Sequence, residues 1–382
     1  MKKIIFLSIG MFALGLDAYV IAGILPAIGL SYGTREAENA QTVTAFTLCY
    51  AIAAPVFATL LAGKSIRKIL SIALVIFSLA NIGSALSPNL HILLTFRAFA
   101  GIGAGLFSPI AAAAATALVP ANFKGRALGM ILGGMSTGTV IGVPIGLWLS
   151  SYFGWQSVLW LVTVIGLFAL MGIAIGFPDI AVSTPPTLKM RLKMLGNHDV
   201  AAIVLVTFLV ALASLGLYTF IAPVLKEVAD VSNITPYLWA WGIGGMFASF
   251  SIGYLIDWWQ KPRLLLACIL LLMTISLLSL VSVSGYGFTL ALLPFVLWGA
   301  AGWSSLAPQQ HTLLKLQPEH GATVVALNSS CNYLGGAVGA IRGGLLIAHG
   351  FSASDLPYFA AAVAALALFW QLVILYKARK KI

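Results

Sequence analysis

The sequence contains very little charge. Only 8% of its 382 residues are Asp, Glu, Lys or Arg, whereas a soluble globular domain carries about 25%. Hydrophobic residues make up 60%, and the mean hydropathy is +1.02. This composition excludes a soluble domain and predicts an integral membrane protein. Alternating ten-residue barrel strands are missing, and many apolar segments reach the roughly 20 residues with which a helix crosses a bilayer.

Cysteines and catalytic motifs are also scarce. Cys49, Cys268 and Cys331 lie in apolar segments, which favours packing roles over a disulfide framework or a metal site. No HExxH motif, paired carboxylates or Ser/His/Asp set occurs at a plausible membrane interface, which argues against an enzyme. The basic residues behind the net charge of +11 form no stripe among aromatics. We therefore expect no cofactor, no metal and no nucleic-acid partner.

Apolar runs between charged or turn-rich breaks predict twelve membrane-spanning helices. They cover residues 4–30, 41–62, 69–87, 91–118, 127–150, 155–177, 201–223, 236–257, 263–284, 287–312, 322–349 and 356–376. The first residues, MKKIIFLSIG, also have the basic and apolar regions of a secretory signal. Because the apolar run continues to Pro26, a first spanning helix is the preferred interpretation.

The distribution of basic residues predicts the orientation of these helices. Lys and Arg accumulate in cytoplasmic loops. The loops on the side of the N-terminus hold 17 of the 21 basic residues, and the opposite loops hold only Arg35 and Lys226. The 17 residues are Lys2, Lys3, Lys64, Arg67, Lys68, Lys124, Arg126, Lys189, Arg191, Lys193, Lys261, Arg263, Lys315, Lys377, Arg379, Lys380 and Lys381. Both termini are therefore expected in the cytoplasm.

A long break with paired prolines divides the chain into two halves. We expect six-helix bundles at residues 1–177 and 201–382, joined by a cytoplasmic linker at 178–200. A repeat at an offset of 197 residues agrees with this division, because a set of glycines and one proline recur. The set is Gly138, Gly142, Gly146 and Pro26, which recur as Gly335, Gly339, Gly343 and Pro223. The agreement predicts an internal duplication.

Two segments carry a resemblance to a known family. The segment GGMSTGTVIGVPIGLWLSSYFGWQSVLW at 133–160 is similar to the fifth-helix antiporter motif of the major facilitator superfamily, and LLTFRAFAGIGAGLFSP at 93–109 resembles its fourth-helix motif, with Arg97 as the basic residue. The whole chain resembles the twelve-span drug:proton antiporters, including the arabinose-efflux-like branch. This resemblance implies an all-α fold of two pseudo-symmetric six-helix bundles. It also implies a monomer in the bacterial cytoplasmic (inner) membrane that exchanges a small molecule for protons.

Four glycines in the predicted fifth helix recur every four residues. Gly134, Gly138, Gly142 and Gly146 therefore lie on one side of the helix, which we call the glycine face, where a second backbone can approach closely. Pro144 removes one backbone hydrogen bond and can bend the helix. One interpretation is ordinary helix packing. The resemblance adds a second one, a role in gating and exchange.

Asp17 is the one acidic residue deep in a predicted span. The other nine acids lie in or beside loops, whereas Asp17 is 13 residues from each end of span 4–30. Ionisable residues inside a membrane normally face a cavity or a partner. We expect Asp17 to be the proton-coupling carboxylate and Arg97 its electrostatic partner. The alternatives are an Asp17 that packs by hydrogen bonds to Ser or Thr, and an Arg97 that extends to the membrane interface.

The cytoplasmic loop motif of the family is only partly present. The family pattern Gly-x-Leu-Ala-Asp-Arg-x-Gly-Arg-Arg/Lys is replaced by TLLAGKSIRK at 59–68, which lacks the acid and two glycines. The corresponding loop of the second half, GYLIDWWQKPR at 253–263, keeps Asp257. A gating contact between charges is therefore expected to depend on Asp257.

Polar and aromatic residues in the spans are candidates for a substrate cavity, which transporters place at the repeat interface. They are Tyr50, Tyr218, Trp298, Trp303, Gln309, Asn328, Asn332 and Tyr333. Aromatics at helix ends, namely Trp155, Trp258, Trp259 and Tyr376, are expected to be interfacial anchors. The roles of His311 and of Arg342, the second basic residue inside a span, stay open.

These observations favour a proton-coupled efflux carrier for a small organic molecule such as a drug or a sugar, acting by alternating access. The proton gradient is its expected energy source, and lipid its surroundings. An uptake symporter or facilitator for a sugar or metabolite on the same fold is the alternative. A sensor without transport activity also fits the fold.

Overall fold

The computed structural model describes residues 2–60, 65–120, 124–178, 187–231, 233–283 and 287–379, and within these ranges it contains helices but no β-strand. The chain divides into two compact units, Met1–Thr187 and Leu188–Ile382. The linker expected at 178–200 stays a prediction, because residues 179–186 lie outside the described ranges.

Twelve long helices account for the fold, as the hydropathy pattern predicts. The first unit contains α1 (Lys2–Tyr32), α2 (Gln41–Leu60), α3 (Ile66–Ala85), α4 (Leu90–Ala117), α5 (Lys124–Thr137, Gly138–Gly142 and Val143–Phe153) and α6 (Gln156–Gly176). The second unit contains α7 (His198–Tyr218), α8 (Thr235–Trp259), α9 (Pro262–Val283), α10 (Phe288–Ser304 and Leu306–Leu316), α11 (Gly321–Ala348) and α12 (Leu356–Arg379). In the described ranges, ten helices are long and apolar enough to cross a membrane.

The same helix pairs pack in both units. In the first unit the main pairs are α1 with α5, α1 with α6, α2 with α4, α3 with α4 and α3 with α6. In the second unit they are α7 with α11, α7 with α12, α8 with α10, α9 with α10 and α9 with α12. Each second pair is the first one shifted by six helices. The two bundles therefore repeat one packing scheme, as the glycine repeat predicts.

Two predicted helices are interrupted in the structure. The helix expected at 201–223 ends at Tyr218, and a separate short helix, Ile221–Ala229, follows a turn. Pro223 lies in the first turn of that short helix, where a missing N–H group costs no intrahelical hydrogen bond. The helix expected at 287–312 breaks at Ser305 and continues to Leu316. Pro308 explains this break, because its ring conflicts with the carbonyl group four residues earlier.

Helix α5 changes its winding in the middle of the glycine face. Residues Gly138–Gly142 form a π-helical turn, which continues directly into Val143–Phe153. Pro144 lacks the N–H group that would close an α-helical bond to residue 140, so a wider turn at this place agrees with the local chemistry. The bend expected from Pro144 is therefore accompanied by a π-helical turn that the sequence pattern does not predict.

Trp155 was expected to be an interfacial anchor, and this expectation is wrong. Its side chain is 2% exposed, and its indole N–H donates a hydrogen bond of 3.0 Å to Ser31 Oγ at the end of α1. Trp258 and Tyr376 are 73% and 61% exposed, as expected of anchors. Trp155 differs because it precedes α6 directly and packs edge-on against Tyr32.

A short helix at the start of the second unit is fixed to α11 by one buried arginine. In Leu188–Met194, Arg191 is 3% exposed and donates hydrogen bonds to the Ala326 carbonyl oxygen at 3.2 Å and to Ser330 Oγ at 2.6 Å. Burial lowers the pKa of the Arg191 guanidinium to about 10, so the group stays charged at neutral pH. The segment that begins the unit is therefore part of its folded body.

The glycine face packs directly on α1. A Cβ atom added to Gly134 would lie 2.3 Å from the Ser8 carbonyl oxygen, and one added to Gly138 would lie 2.2 Å from that of Phe12. The second unit repeats this arrangement, since a Cβ atom on Gly339 would lie 2.4 Å from the Leu212 carbonyl oxygen. Only glycine allows the two backbones to approach so closely.

The glycine face predicts a position-specific effect on stability. Gly134→Ala would push α5 away from α1 and should lower the free energy of unfolding by about 1–3 kcal/mol. Gly133→Ala is a matched control on the same helix, because nothing lies within 4 Å of the Cβ atom that it adds. Thermal unfolding of both purified variants in detergent measures the difference. Equal melting temperatures for the two variants would contradict the packing role of Gly134.

Candidate functional site

Asp17 is enclosed in the middle of the first unit. It lies 15 residues from each end of α1, which is about 22 Å of helix, and its side chain is 0% exposed. An isolated carboxylate at such a place would lose most of its solvation energy. The surrounding residues must therefore stabilise its charge or keep it protonated.

Arg97 of α4 is the partner that the structure places beside Asp17. Its Nη1 atom donates a hydrogen bond to Asp17 Oδ1 at 2.7 Å, and the Arg97 side chain is 1% exposed. The guanidinium carbon also lies 4.5 Å from the centre of the Phe46 ring, in a cation–π contact. In this conformation Arg97 points to Asp17 and does not extend to the membrane interface. The two opposite charges neutralise each other inside the bundle.

Hydrogen-bonding capacity remains at this ion pair. Asn81 of α3 is fully buried next to the Asp17 carboxyl group, and its Nδ2 atom donates to the Phe77 carbonyl oxygen at 3.0 Å. Within the described ranges, Asp17 Oδ2, Arg97 Nε and Asn81 Oδ1 are buried and have no hydrogen-bond partner. Buried polar atoms are normally hydrogen-bonded. The pair can therefore accept or release one further polar contact without unfolding.

The glycines of α4 explain how Arg97 reaches this position. Arg97, Gly101 and Gly105 recur every four residues and share one face of α4. A Cβ atom on Gly101 would lie 2.2 Å from the Phe46 carbonyl oxygen, and one on Gly105 would lie 2.4 Å from that of Tyr50. The backbones of α2 and α4 are thus in contact, which brings the Phe46 ring next to the guanidinium group.

The glycine face lies on the same part of α1 as the carboxylate. Cβ atoms added to Gly142 and Gly146 would contact Leu16 at 3.3 Å and Val20 at 2.9 Å, one residue before and three after Asp17. The π-helical turn of α5 is thus beside the helix turn that carries the acid. Such turns occur frequently at functional sites.

Aromatic residues form a cluster in the second unit. The rings of Tyr218 and Trp241 are 4.5 Å apart, those of Trp241 and Trp298 are 6.1 Å apart, and those of Trp241 and Trp303 are 5.5 Å apart. The Trp298 N–H group donates a hydrogen bond of 2.8 Å to Ser214 Oγ on α7. We call Tyr218, Trp241, Trp298 and Trp303 the aromatic cluster. It unites three of the predicted cavity residues.

The aromatic cluster corresponds by sequence repeat to the ion pair. Ser214 is 197 residues after Asp17, and Trp298 is 197 residues after Gly101, one turn beyond Arg97. In each unit a polar link thus joins the first helix of the bundle to the fourth. It is an ion pair between α1 and α4 in the first unit and a neutral hydrogen bond between α7 and α10 in the second.

The other predicted cavity residues have separate positions. Tyr50 is 7% exposed and stacks at a tilt on Phe46 in the first unit. Gln309 is 1% exposed, and neither polar atom of its side chain has a hydrogen-bond partner in the described ranges. Asn328 is fully buried and accepts a hydrogen bond of 2.5 Å from Thr207 Oγ1. Asn332 and Tyr333 are half-buried on α11. No contact described in the structure joins these residues to the aromatic cluster.

Asp257 is exposed in the last turn of α8. Its backbone carbonyl oxygen accepts a hydrogen bond from Gln260, and its carboxylate takes part in no ion pair among the described residues. Gly63 and Lys64 of the first cytoplasmic loop lie outside the described ranges. The gating role of Asp257 therefore stays a prediction.

Three residues of the site are absent from the sequence-based expectations. Phe46, Asn81 and Trp241 contact Arg97, Asp17 and Trp298, respectively. Each is an ordinary residue for a membrane helix, with no motif around it. Asn81 carried a usable signal, because it is a carboxamide in an otherwise apolar stretch of α3.

Comparison with known proteins places this geometry in a family. The family model described as Major Facilitator Superfamily matches residues 7–340. The chain is 27% identical to the inner membrane transport protein YdhP of Escherichia coli, over 98% of the chain and 95% of the relative. It is 29% identical to a chloramphenicol resistance protein of Streptomyces lividans, over 79% and 82%. The crystal structure of a D-xylose-proton symporter shares the fold, with a TM-score of 0.79, 17% identity and 96% coverage of both chains.

The buried ion pair predicts a non-additive effect on stability. Asp17→Asn or Arg97→Met alone leaves one buried charge without a partner and should cost about 3–5 kcal/mol. The double variant removes both charges and should cost less than either single one. Thermal unfolding in detergent measures all three. Costs of the single variants that simply add in the double variant would show that the two residues do not depend on each other.

Proposed function

Because the chain belongs to the major facilitator superfamily, a family of membrane transporters and not of enzymes, we propose that it is a proton-coupled efflux transporter. It would export a small organic molecule, such as a drug or a sugar, by alternating access. The observation that carries this proposal is the fully buried ion pair of Asp17 and Arg97 in the first unit. We further propose that the protein works as a monomer in the bacterial inner membrane, with both termini in the cytoplasm.

Charge neutrality explains how this pair would couple to protons. Asp17 and Arg97 are 0% and 1% exposed, so separating them without a replacement leaves a buried charge uncompensated. A proton on Asp17 compensates the carboxylate when Arg97 moves away. Loss of that proton restores the attraction between the two side chains. A conformational change that alters their separation therefore requires a proton to bind or to leave.

The direction of transport is inferred from the glycine face and from one relative. The face lies against α1 beside the carboxylate and resembles the motif of exchange and export carriers. The chloramphenicol resistance protein of Streptomyces lividans is named for a phenotype that export of the drug would produce. These two observations favour efflux over uptake. The D-xylose-proton symporter is similar in fold alone and does not support the alternative.

The aromatic cluster is the part of the second unit best suited to contact the cargo. Trp303 is half-buried, and its indole N–H group has no hydrogen-bond partner among the described residues. Tryptophan combines a large apolar face with one donor, as recognition of an aromatic or amphipathic molecule requires. We therefore assign Trp303 to cargo contact and Trp241 and Trp298 to its support.

Inverted vesicles with a preset pH gradient test the coupling. Adding chloramphenicol or another transported compound to wild-type vesicles should collapse the gradient while the compound accumulates. Asp17→Asn should lose at least tenfold of this proton flux, because the side chain can no longer exchange a proton. Asp230→Asn is the matched control: it makes the same change at an exposed acid that pairs with Lys226 outside the spans. Its flux should equal that of the wild type.

Two results would contradict the proposal. Proton flux that survives in Asp17→Asn would show that another group carries the proton. Compound and protons moving in the same direction would establish the symporter. The variants are compared at equal amounts of folded protein, as determined by size-exclusion chromatography, so that a folding defect is not counted as lost coupling.

The free donor of Trp303 predicts a change in apparent affinity. Trp303→Phe keeps an aromatic ring but removes the N–H group, which should cost about 1 kcal/mol of binding, or about a fivefold higher KM. Trp258→Phe, at an exposed position near the end of α8, is the control and should leave the KM unchanged. Transport rates across a range of cargo concentrations provide both values. An unchanged KM in Trp303→Phe would remove this residue from the cargo site.

A further inference from the structure

Arg342 of α11 lies in a cleft of the second unit. Helices α11 and α12 both pack along α7 but make little contact with each other, so α7 forms the floor between them. The remaining side chains that line the cleft are apolar. They include Leu212, Phe220, Leu346, Phe359 and Val363.

Arg342 differs from Arg97 in having no partner within the described ranges. The two ion pairs found there are Asp17 with Arg97 and Lys226 with Asp230, and no hydrogen bond from the Arg342 side chain is present. A guanidinium group has five N–H donors. Arg342 is six residues, or about 9 Å, from the end of α11 at Ala348. The side chain can therefore reach toward lipid headgroups while its stem stays among apolar residues.

The first unit lacks both features of this cleft. The residue 197 positions before Arg342 is Ile145, an apolar side chain that is 48% exposed. At that level α5 and α6 are in contact, since a Cβ atom on Gly146 would lie 3.1 Å from Val158 Cγ1. In the second unit the matching glycine, Gly343, faces the ring of Phe220 instead. The cleft and its cation therefore occur together, in one unit of the repeat.

We propose that this cleft binds an anionic phospholipid from the surrounding bilayer. The lipid phosphate would accept hydrogen bonds from the Arg342 guanidinium group, whose planar donors suit a phosphate. One acyl chain would lie against the apolar walls between α11 and α12. This arrangement satisfies the cation and fills the apolar space with one ligand. Neither the ion pair nor the aromatic cluster takes part, so the proposal does not depend on the direction of transport or on its coupling.

Native mass spectrometry of the purified full chain tests the site. The probe is palmitoyl-oleoyl phosphatidylglycerol, compared with phosphatidylcholine that carries the same acyl chains but no net charge. The wild type should bind the first lipid more tightly, and Arg342→Gln should weaken its binding about tenfold, the effect of losing about 1.4 kcal/mol of charged hydrogen bonding. Lys189→Gln is the control, because it removes one charge from an exposed position in Leu188–Met194. It should bind both lipids like the wild type.

A second variant tests the apolar part of the site. Ala360→Leu narrows the cleft without changing any charge and should also weaken phosphatidylglycerol binding, while Arg342 stays in place. Melting temperatures in detergent verify that both variants are folded. Equal binding of the two lipids to the wild type, or unchanged phosphatidylglycerol binding in Arg342→Gln, would overturn the proposal. Displacement of the lipid by a transported compound would assign the cleft to cargo instead.

Discussion

A carboxylate buried at the middle of a membrane helix constrains everything around it. Asp17 is tolerated because Arg97 lies 2.7 Å away, and Arg97 reaches it because α4 has glycine at the positions where α2 approaches. The glycine face then brings α5 onto α1 on the neighbouring side. Close backbone contacts thus surround a single pair of opposite charges. Because a low-dielectric interior strengthens electrostatic interactions, a small change in helix spacing has a large effect on this pair.

The two units share a packing scheme but differ in chemistry. Glycines at matching positions bring α1 to α5 and α7 to α11, and the same five helix pairs form in each bundle. The polar link between the first and fourth helices is charged in one unit and neutral in the other, where Trp298 donates to Ser214. Duplication thus preserved the residues that set helix distances. The residues that carry proton chemistry or bind aromatic surface diverged, so each unit can supply a different part of one transport cycle.

The sequence predicts well those features that depend on composition or on spacing along one helix. Twelve apolar runs gave the helices, the depth of Asp17 in its span identified the buried acid, and four-residue spacing gave the glycine face. It predicts contacts poorly. Phe46 meets Arg97 across 51 residues of chain and Asn81 meets Asp17 across 64, and nothing local to either residue indicates the encounter. The breaks after Tyr218 and at Ser305 depend on prolines whose effect varies with their place in a turn. Trp155 was misplaced because position at a helix end does not reveal which side of the helix faces the bundle.

The two arginines inside the spans show why burial must be considered together with a partner. Both carry the same charge on helices that have to remain in the bilayer, and an unpaired arginine at depth costs at least about 2.5–3.5 kcal/mol. Arg97 is compensated within the chain by a carboxylate and an aromatic ring. Arg342 is half-buried in an apolar cleft, and the described residues provide it with neither. The energy that Asp17 supplies to Arg97 must therefore come to Arg342 from molecules outside the described chain. In a bilayer, phospholipid headgroups are the most abundant anions within reach of such a position.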